Sequence, residues 1–160
     1  MNTMLNNQTV VIIGGSSGVG LAVAKLVAAQ GAKITIASRS RDRLSIAAQE
    51  IDGDVQIGII NTLEESSVKN FFANQDGINH LLCFAGDSMG GGVLTADITT
   101  ARNALDSKFW GQFYVGRYGK VKIKPSGSLT FTSGSGPRPH QAIATVAESR
   151  GCERACRVIS

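Results

Sequence analysis

The chain has 160 residues and a formal net charge of +4, and 42% of it is apolar while only 6% is aromatic. That length fits one domain with one core, and nineteen glycines without a fixed period exclude both a collagen-like and a disordered class. No stretch reaches the roughly 18 apolar residues of a membrane span, and three cysteines, an odd number, do not make a disulfide framework, so a cytoplasmic protein is expected.

The first predicted element is a β-branched strand at residues 10–13, which breaks into glycines at Gly14, Gly18 and Gly20 and then enters a helical pattern, LAVAKLVAAQG. A strand that stops in a glycine-rich turn and restarts as a helix aims unpaired backbone N–H groups at one point, and that point attracts phosphate. Gly14 allows a tight exit turn, Gly18 lets backbone approach a pyrophosphate, and Gly20 lets the helix pack closely on the strand. Lys25 falls too late for the GxxxxGK[ST] spacing, which disfavours a nucleoside triphosphate. Ala22, Val23, Leu26 and Val27 mark the apolar face of the helix, and Gly31 sits at its left-handed stop.

Residues 33–37 (KITIA) read as a second strand, followed by a helix that opens at Ser40, keeps Leu44, Ala47, Ala48 and Ile51 on one face, and ends at Gly53. A third strand over 55–60 leads to a helix from about Leu63 that buries Val68, Phe71 and Phe72. A fourth strand over 79–85 ends at Gly86 in the loop GDSMGGG. A long helix over 98–118 is predicted to turn Ile98, Ala101, Leu105, Phe109 and Phe113 toward the core, with Trp110 beside them. Its basic end, Arg117, Lys120, Lys122 and Lys124, has no interleaved aromatic platform and reads as a solvated helix exit, not a nucleic-acid patch. A fifth strand over 128–133 precedes a loop with Gly134, Gly136, Pro137 and Pro139, and a weakly patterned helix. There Cys152, Cys156 and His140 lack a fourth ligand, so no metal site is expected.

Alternating strands and helices predict an α/β fold: a three-layer, Rossmann-like, doubly wound parallel sheet of about five strands in the order 3-2-1-4-5. Residues 1–160 are expected to form a single domain, with 134–160 an irregular or poorly packed tail. The switch point of that topology brings the loops after Ile13 and Ala85 to one crevice.

The turn G-x-x-x-G-x-G with Ser16 and Ser17, and the segments LLCFAG, DSKFWG and FTS, resemble in chain order the short-chain dehydrogenase/reductase family. The resemblance implies that Gly14, Ser16, Ser17, Gly18, Val19 and Gly20 hold a nicotinamide dinucleotide, helped by Asn61 after the third strand and by Ala85 and Gly86. Cys83 and Phe84 replace the two asparagines of the family's NNAG motif. Arg39 stands where a basic residue accompanies NADP(H) and an acidic one NAD(H); the resemblance therefore implies NADP(H) before NAD(H), with Ser38 and Arg41 or Arg43 assisting at the 2′-phosphate. Ser133 matches the catalytic serine, and Lys108 stands where an active-site asparagine belongs. Family spacing from Ser133 puts Val146 at the catalytic tyrosine and Arg150 at the catalytic lysine, and a valine cannot protonate a carbonyl oxygen. Tyr114 and Tyr118 both fall in the preceding helix.

Family domains continue for two further strands, so a truncated member is expected, with a frame change near Glu148 and the fifth strand left as an exposed edge. The implied function is an oxidoreductase moving hydride between NADP(H) and a small carbonyl or alcohol substrate, with homo-oligomeric assembly and no nucleic-acid or membrane partner. The alternative is a non-catalytic NADP(H)-binding or interaction protein derived from the family.

Overall fold

The computed structural model of the chain describes residues 4–86 and 95–133. Strands β1 (Thr9–Ile13), β2 (Lys33–Ser38), β3 (Val55–Ile59), β4 (Ile78–Cys83) and β5 (Ile123–Phe131) form one sheet in the order β3-β2-β1-β4-β5, and every pairing is parallel. Helices α1 (Gly18–Ala29), α2 (Arg41–Gln49) and α3 (Glu65–Ala73) connect the first four strands. Between β4 and β5 lie α4 (Ile98–Leu105), a π-helical turn (Asp106–Trp110) and α5 (Gly111–Gly119). The doubly wound order predicted from the alternation of elements is the order observed.

Side chains alternate across β1, so its residues feed two cores. Val10 and Ile12 pack with Ile34, Ile36, Leu44 and Ala47 and with Ala24 and Ala28 of α1. Val11 and Ile13 face the other way, against Val68, Phe71, Phe72 and Val115. Helices α1 and α2 thus cover one face and α3 and α5 the other, and the reversal falls between β1 and β4. Burial is nearly complete along β1, where Val10 to Ile13 are at most 1% exposed. Each such side chain contributes about 1.5–3 kcal/mol.

Helix ends follow local chemistry. The Ser40 hydroxyl accepts from the Arg43 N–H at 3.3 Å, and Asp97 accepts from the Thr100 N–H at 3.0 Å. Gly31, at φ +83°, stops α1 as its position predicted.

Several boundaries and faces differ from expectation. On α1 the buried stripe is Gly20, Ala24 and Ala28, with Val23 and Val27 half-buried, while Leu26 is exposed. The helix predicted over 98–118 is broken by the π turn, and its large apolar residues point outward: Ile98, Leu105, Phe109, Trp110 and Phe113 are all exposed. Its buried face is small instead, with Ala104, Ser107, Gly111, Val115, Gly116 and Gly119. Strand β5 starts five residues earlier than 128, because Ile123 pairs with Ile78 before the ladder bulges and resumes at His80 and Ser128. Asn79 fills that bulge, its Oδ1 accepting from the Thr9 N–H at 3.0 Å and from Lys124 Nζ at 3.2 Å. Among the described residues no helix is long and apolar enough to cross a membrane. Residues 87–92 of the GDSMGGG loop, the loop at Gly134 to Pro139, and His140, Val146, Arg150, Cys152 and Cys156 lie outside the described residues.

Candidate cofactor crevice

Three strand ends meet where β1 stops. The Gly14 N–H donates to the Ala37 carbonyl at 2.7 Å, and the Phe84 N–H donates to the Ile13 carbonyl at 2.8 Å. Gly14 has φ +85°, and a Cβ there would lie 2.8 Å from the Ala85 nitrogen, so the exits of β1 and β4 touch only because position 14 has no side chain. A Cβ on Gly20 would lie 2.2 Å from the Gly14 carbonyl oxygen, which seats the first turn of α1 directly on the loop. Gly18 has φ +53° and nothing within 4 Å of where its Cβ would be, so its backbone faces open space.

The start of α1 is suited to an anion. Ser17 is extended and makes no side-chain cap, and the first turn holds no acidic residue. Among the described residues no side chain caps these first-turn N–H groups, and the helix dipole favours negative charge there.

A crevice of about 540 Å³ opens at these ends. The glycine turn contributes Gly14, Ser16, Ser17, Gly18, Val19 and Gly20; the end of β2 and start of α2 contribute Ser38, Arg39, Ser40 and Arg43. Ile60, Thr62 and Leu63 come from beyond β3, Phe84, Ala85 and Gly86 from beyond β4, Ser107 and Lys108 from the π turn, and Thr132 and Ser133 from beyond β5. The structure thus gathers all the described candidate residues except Asn61 and Arg41. The Asn61 side chain is used locally: its Oδ1 accepts from the Leu63 N–H at 3.2 Å and its Nδ2 donates to Glu64 at 2.8 Å. Its neighbours Thr62 and Leu63 line the crevice and were missed, although their place just past a parallel strand's carboxyl end is the signal that finds them.

Among the described residues one buried side-chain polar atom lacks a protein partner. Ser38 Oγ is buried and has no hydrogen bond among the described residues. An orphaned hydroxyl at the rim between the glycine turn and Arg39, together with the glycine cradle, fits a ligand carrying phosphate and ribose groups.

At the other end of the crevice the frame is tied. Gln112 Nε2 donates to the Thr132 carbonyl at 3.0 Å, and Thr132 Oγ1 donates to the Cys83 carbonyl at 3.3 Å. Ser107, 2% exposed, donates to the Ala104 carbonyl at 3.3 Å. The tyrosines are elsewhere. Tyr118 donates to Glu65 of α3 at 2.5 Å, a hydrogen bond to a carboxylate that holds its phenol above the usual range, and Tyr114 stacks on Trp110. Neither lines the crevice.

A doubly wound parallel sheet with a glycine cradle at its switch point is the architecture of a nucleotide-binding α/β protein. A model of the short chain dehydrogenase family matches residues 8–106, and the chain belongs to that family. It is 27% identical over 121 residues to an uncharacterized oxidoreductase, YxnA, of Bacillus subtilis, covering 69% of this chain and 33% of that protein. It is 28% identical over 166 residues to the short-chain dehydrogenase/reductase ATR9 of Stachybotrys chlorohalonatus, covering 92% of this chain and 64% of that one. The chain therefore spans about a third to two-thirds of the length of these relatives. Among solved structures it is similar to a citronellol catabolism dehydrogenase of Pseudomonas aeruginosa PAO1, with TM-score 0.85 and 27% identity, covering 99% of this chain and 69% of that one. The MalC reductase/Diels-Alderase of Malbranchea aurantiaca has TM-score 0.83 and 25% identity, with the same shares covered.

Proposed function

We propose that this chain is an oxidoreductase that moves hydride between NADP(H) and a small carbonyl or alcohol substrate. The observation that carries the cofactor choice is the orphaned Ser38 Oγ lining the same side of the crevice as Arg39 and Arg43. A guanidinium pairs bidentately with a phosphate, and the described residues at this rim offer no carboxylate for a ribose diol. Gly14, Ser16, Ser17, Gly18, Val19 and Gly20 would hold the pyrophosphate, with Ala85 and Gly86 closing the opposite wall. The bound dinucleotide supplies the hydride. Ser133 and Lys108 line the crevice on the β4 and β5 side and would meet the substrate there. The exposed stripe Leu105, Phe109, Trp110 and Phe113 supports the homo-oligomeric part of the reading.

A second reading, a non-catalytic NADP(H)-binding protein, is favoured by one observation, Val146 at the position of the family's tyrosine. Thermal unfolding with NADPH and with NADH, followed by absorbance of the reduced nicotinamide with a panel of aldehydes and ketones, tests both. NADPH at 100 times its Kd adds about 2.7 kcal/mol of stability. Stabilisation with turnover is the expected result, stabilisation without turnover supports the second reading, and no stabilisation by either cofactor overturns both. Arg39→Asp is expected to weaken NADPH binding by about 1.5–3 kcal/mol, the range for a hydrogen bond to a charged group, while leaving NADH binding equal or stronger.

A further inference from the structure

We infer that Lys108 is the proton donor for the carbonyl oxygen at this site, an assignment that rests on the oxidoreductase reading above. The argument begins with elimination. The titratable side chains among the described residues lining the crevice are Arg39, Arg43 and Lys108. An arginine keeps its proton at any working pH, and both arginines stand on the β2 and α2 side. Among the described lining residues, Lys108 is the group that can donate a proton.

Its placement is built. Lys108 sits in the middle of the π turn Asp106–Trp110, which interrupts an otherwise α-helical run. A π turn inserts a residue and re-aims the side chains on it, and such turns recur at functional positions. The stem of Lys108 lies over Gly86: a Cβ at that position would be 2.6 Å from Lys108 Cδ, 2.9 Å from Cε and 3.2 Å from Nζ. Glycine at the end of the β4 exit therefore leaves the slot that the lysine fills, and any larger residue would displace it. The side chain is half-buried, and no hydrogen bond or ion pair engages its Nζ among the described residues. The π turn continues directly into α5, where Gln112 is tied to Thr132, the neighbour of Ser133. A substrate carbonyl between Ser133 and Lys108 would meet a hydroxyl on one side and an ammonium on the other.

The step balances. Hydride from the reduced nicotinamide goes to the carbonyl carbon, the C=O π pair moves on to oxygen, and that oxygen takes a proton from Lys108 Nζ. The neutral amine regains a proton from water, and an alcohol and oxidised cofactor leave.

The test uses the full chain. Lys108→Met keeps the stem and removes the proton; the expected result is unchanged thermal stabilisation by NADPH with turnover lowered by about 100-fold or more. Lys108→Arg keeps the charge but holds its proton, and the same loss is expected. A readout independent of turnover is reductive alkylation with a small aldehyde and cyanoborohydride, mapped by peptide mass. NADP+ with saturating alcohol should suppress modification at Lys108 and leave exposed Lys33 and Lys69 modified. Wild-type turnover in either variant, or loss of NADPH stabilisation together with turnover in Lys108→Met, overturns the assignment, as does alkylation at Lys108 that the ligands do not change. A wild-type chain stabilised by NADPH yet inactive on every carbonyl overturns the assignment and leaves cofactor binding standing. Absence of stabilisation in the wild type is a different failure, that of the oxidoreductase reading itself.

Discussion

Gly20 and Gly18 lie two residues apart in the same turn, and their environments predict opposite kinds of damage. A methyl on Gly20 would start 2.2 Å from the Gly14 carbonyl oxygen, which is backbone and cannot swing aside. Gly20→Ala is expected to push α1 off the loop and to cost about 1–3 kcal/mol of stability or more, read as a lower urea midpoint, with NADPH stabilisation lost as a consequence. A methyl on Gly18 meets nothing, so Gly18→Ala carries only the strain of φ +53°, about 1–2 kcal/mol. It would nevertheless project into the crevice, so its larger effect should be on cofactor affinity. If the two variants lose stability and affinity in the same proportion, Gly18 is not a ligand-facing position. The exit turn at Gly14 and the packing contact at Gly20 were legible because spacing alone assigns them. The local bonds of Asn61 were not legible, because only the folded turn shows that an asparagine three residues before a glutamate at a helix start serves the backbone and that glutamate.

At the scale of elements, α2 and α3 were readable because each carries a single apolar stripe, and Leu44, Ala47, Val68 and Phe72 are buried as that stripe requires. The α4 to α5 run carries two, one of large residues and one of small. Periodicity reports that stripes exist and does not say which faces the sheet. Close approach decided it: a Cβ on Gly119 would lie 2.3 Å from Leu81 Cδ2 and 3.0 Å from Phe72 Cζ, so the helix sits too near the sheet for anything larger. Two substitutions separate these faces. Gly119→Ala gains about 1 kcal/mol of helix propensity and loses about 1–3 kcal/mol to overpacking, so a net loss is expected in thermal or urea unfolding. Phe113→Ala, on the outer face with 44% of its surface exposed, should cost less than about 1 kcal/mol. The reverse ranking would mean that the aromatic stripe is core after all.

For the whole molecule, strand order was legible because alternating strands and helices leave few ways to close a parallel sheet. Its outer surface was not, since hydropathy assigns Phe109, Trp110 and Phe113 to a core. Those side chains form an interlocked set, with Trp110 edge-on to Phe109 at 5.2 Å and to Phe113 at 5.7 Å between ring centroids. Rings already held against one another lose little freedom on contact, and an exposed aromatic cluster of this kind is what the proposed homo-oligomer would bury. A second copy is the partner the proposed homo-oligomer supplies, and a two-fold axis near Trp110 would set the cluster against itself. Trp110→Glu would place a charge at the centre of that contact. The dimer is expected to weaken by at least 2 kcal/mol, the scale of an interfacial hot spot, a rise in Kd of roughly 30-fold. Sedimentation across a concentration series reads the shift, while the unfolding of the separated monomer should hardly change because Trp110 is 46% exposed. A wild-type chain that sediments as a monomer throughout the series would leave the stripe without a partner of its own kind and overturn the homo-oligomer.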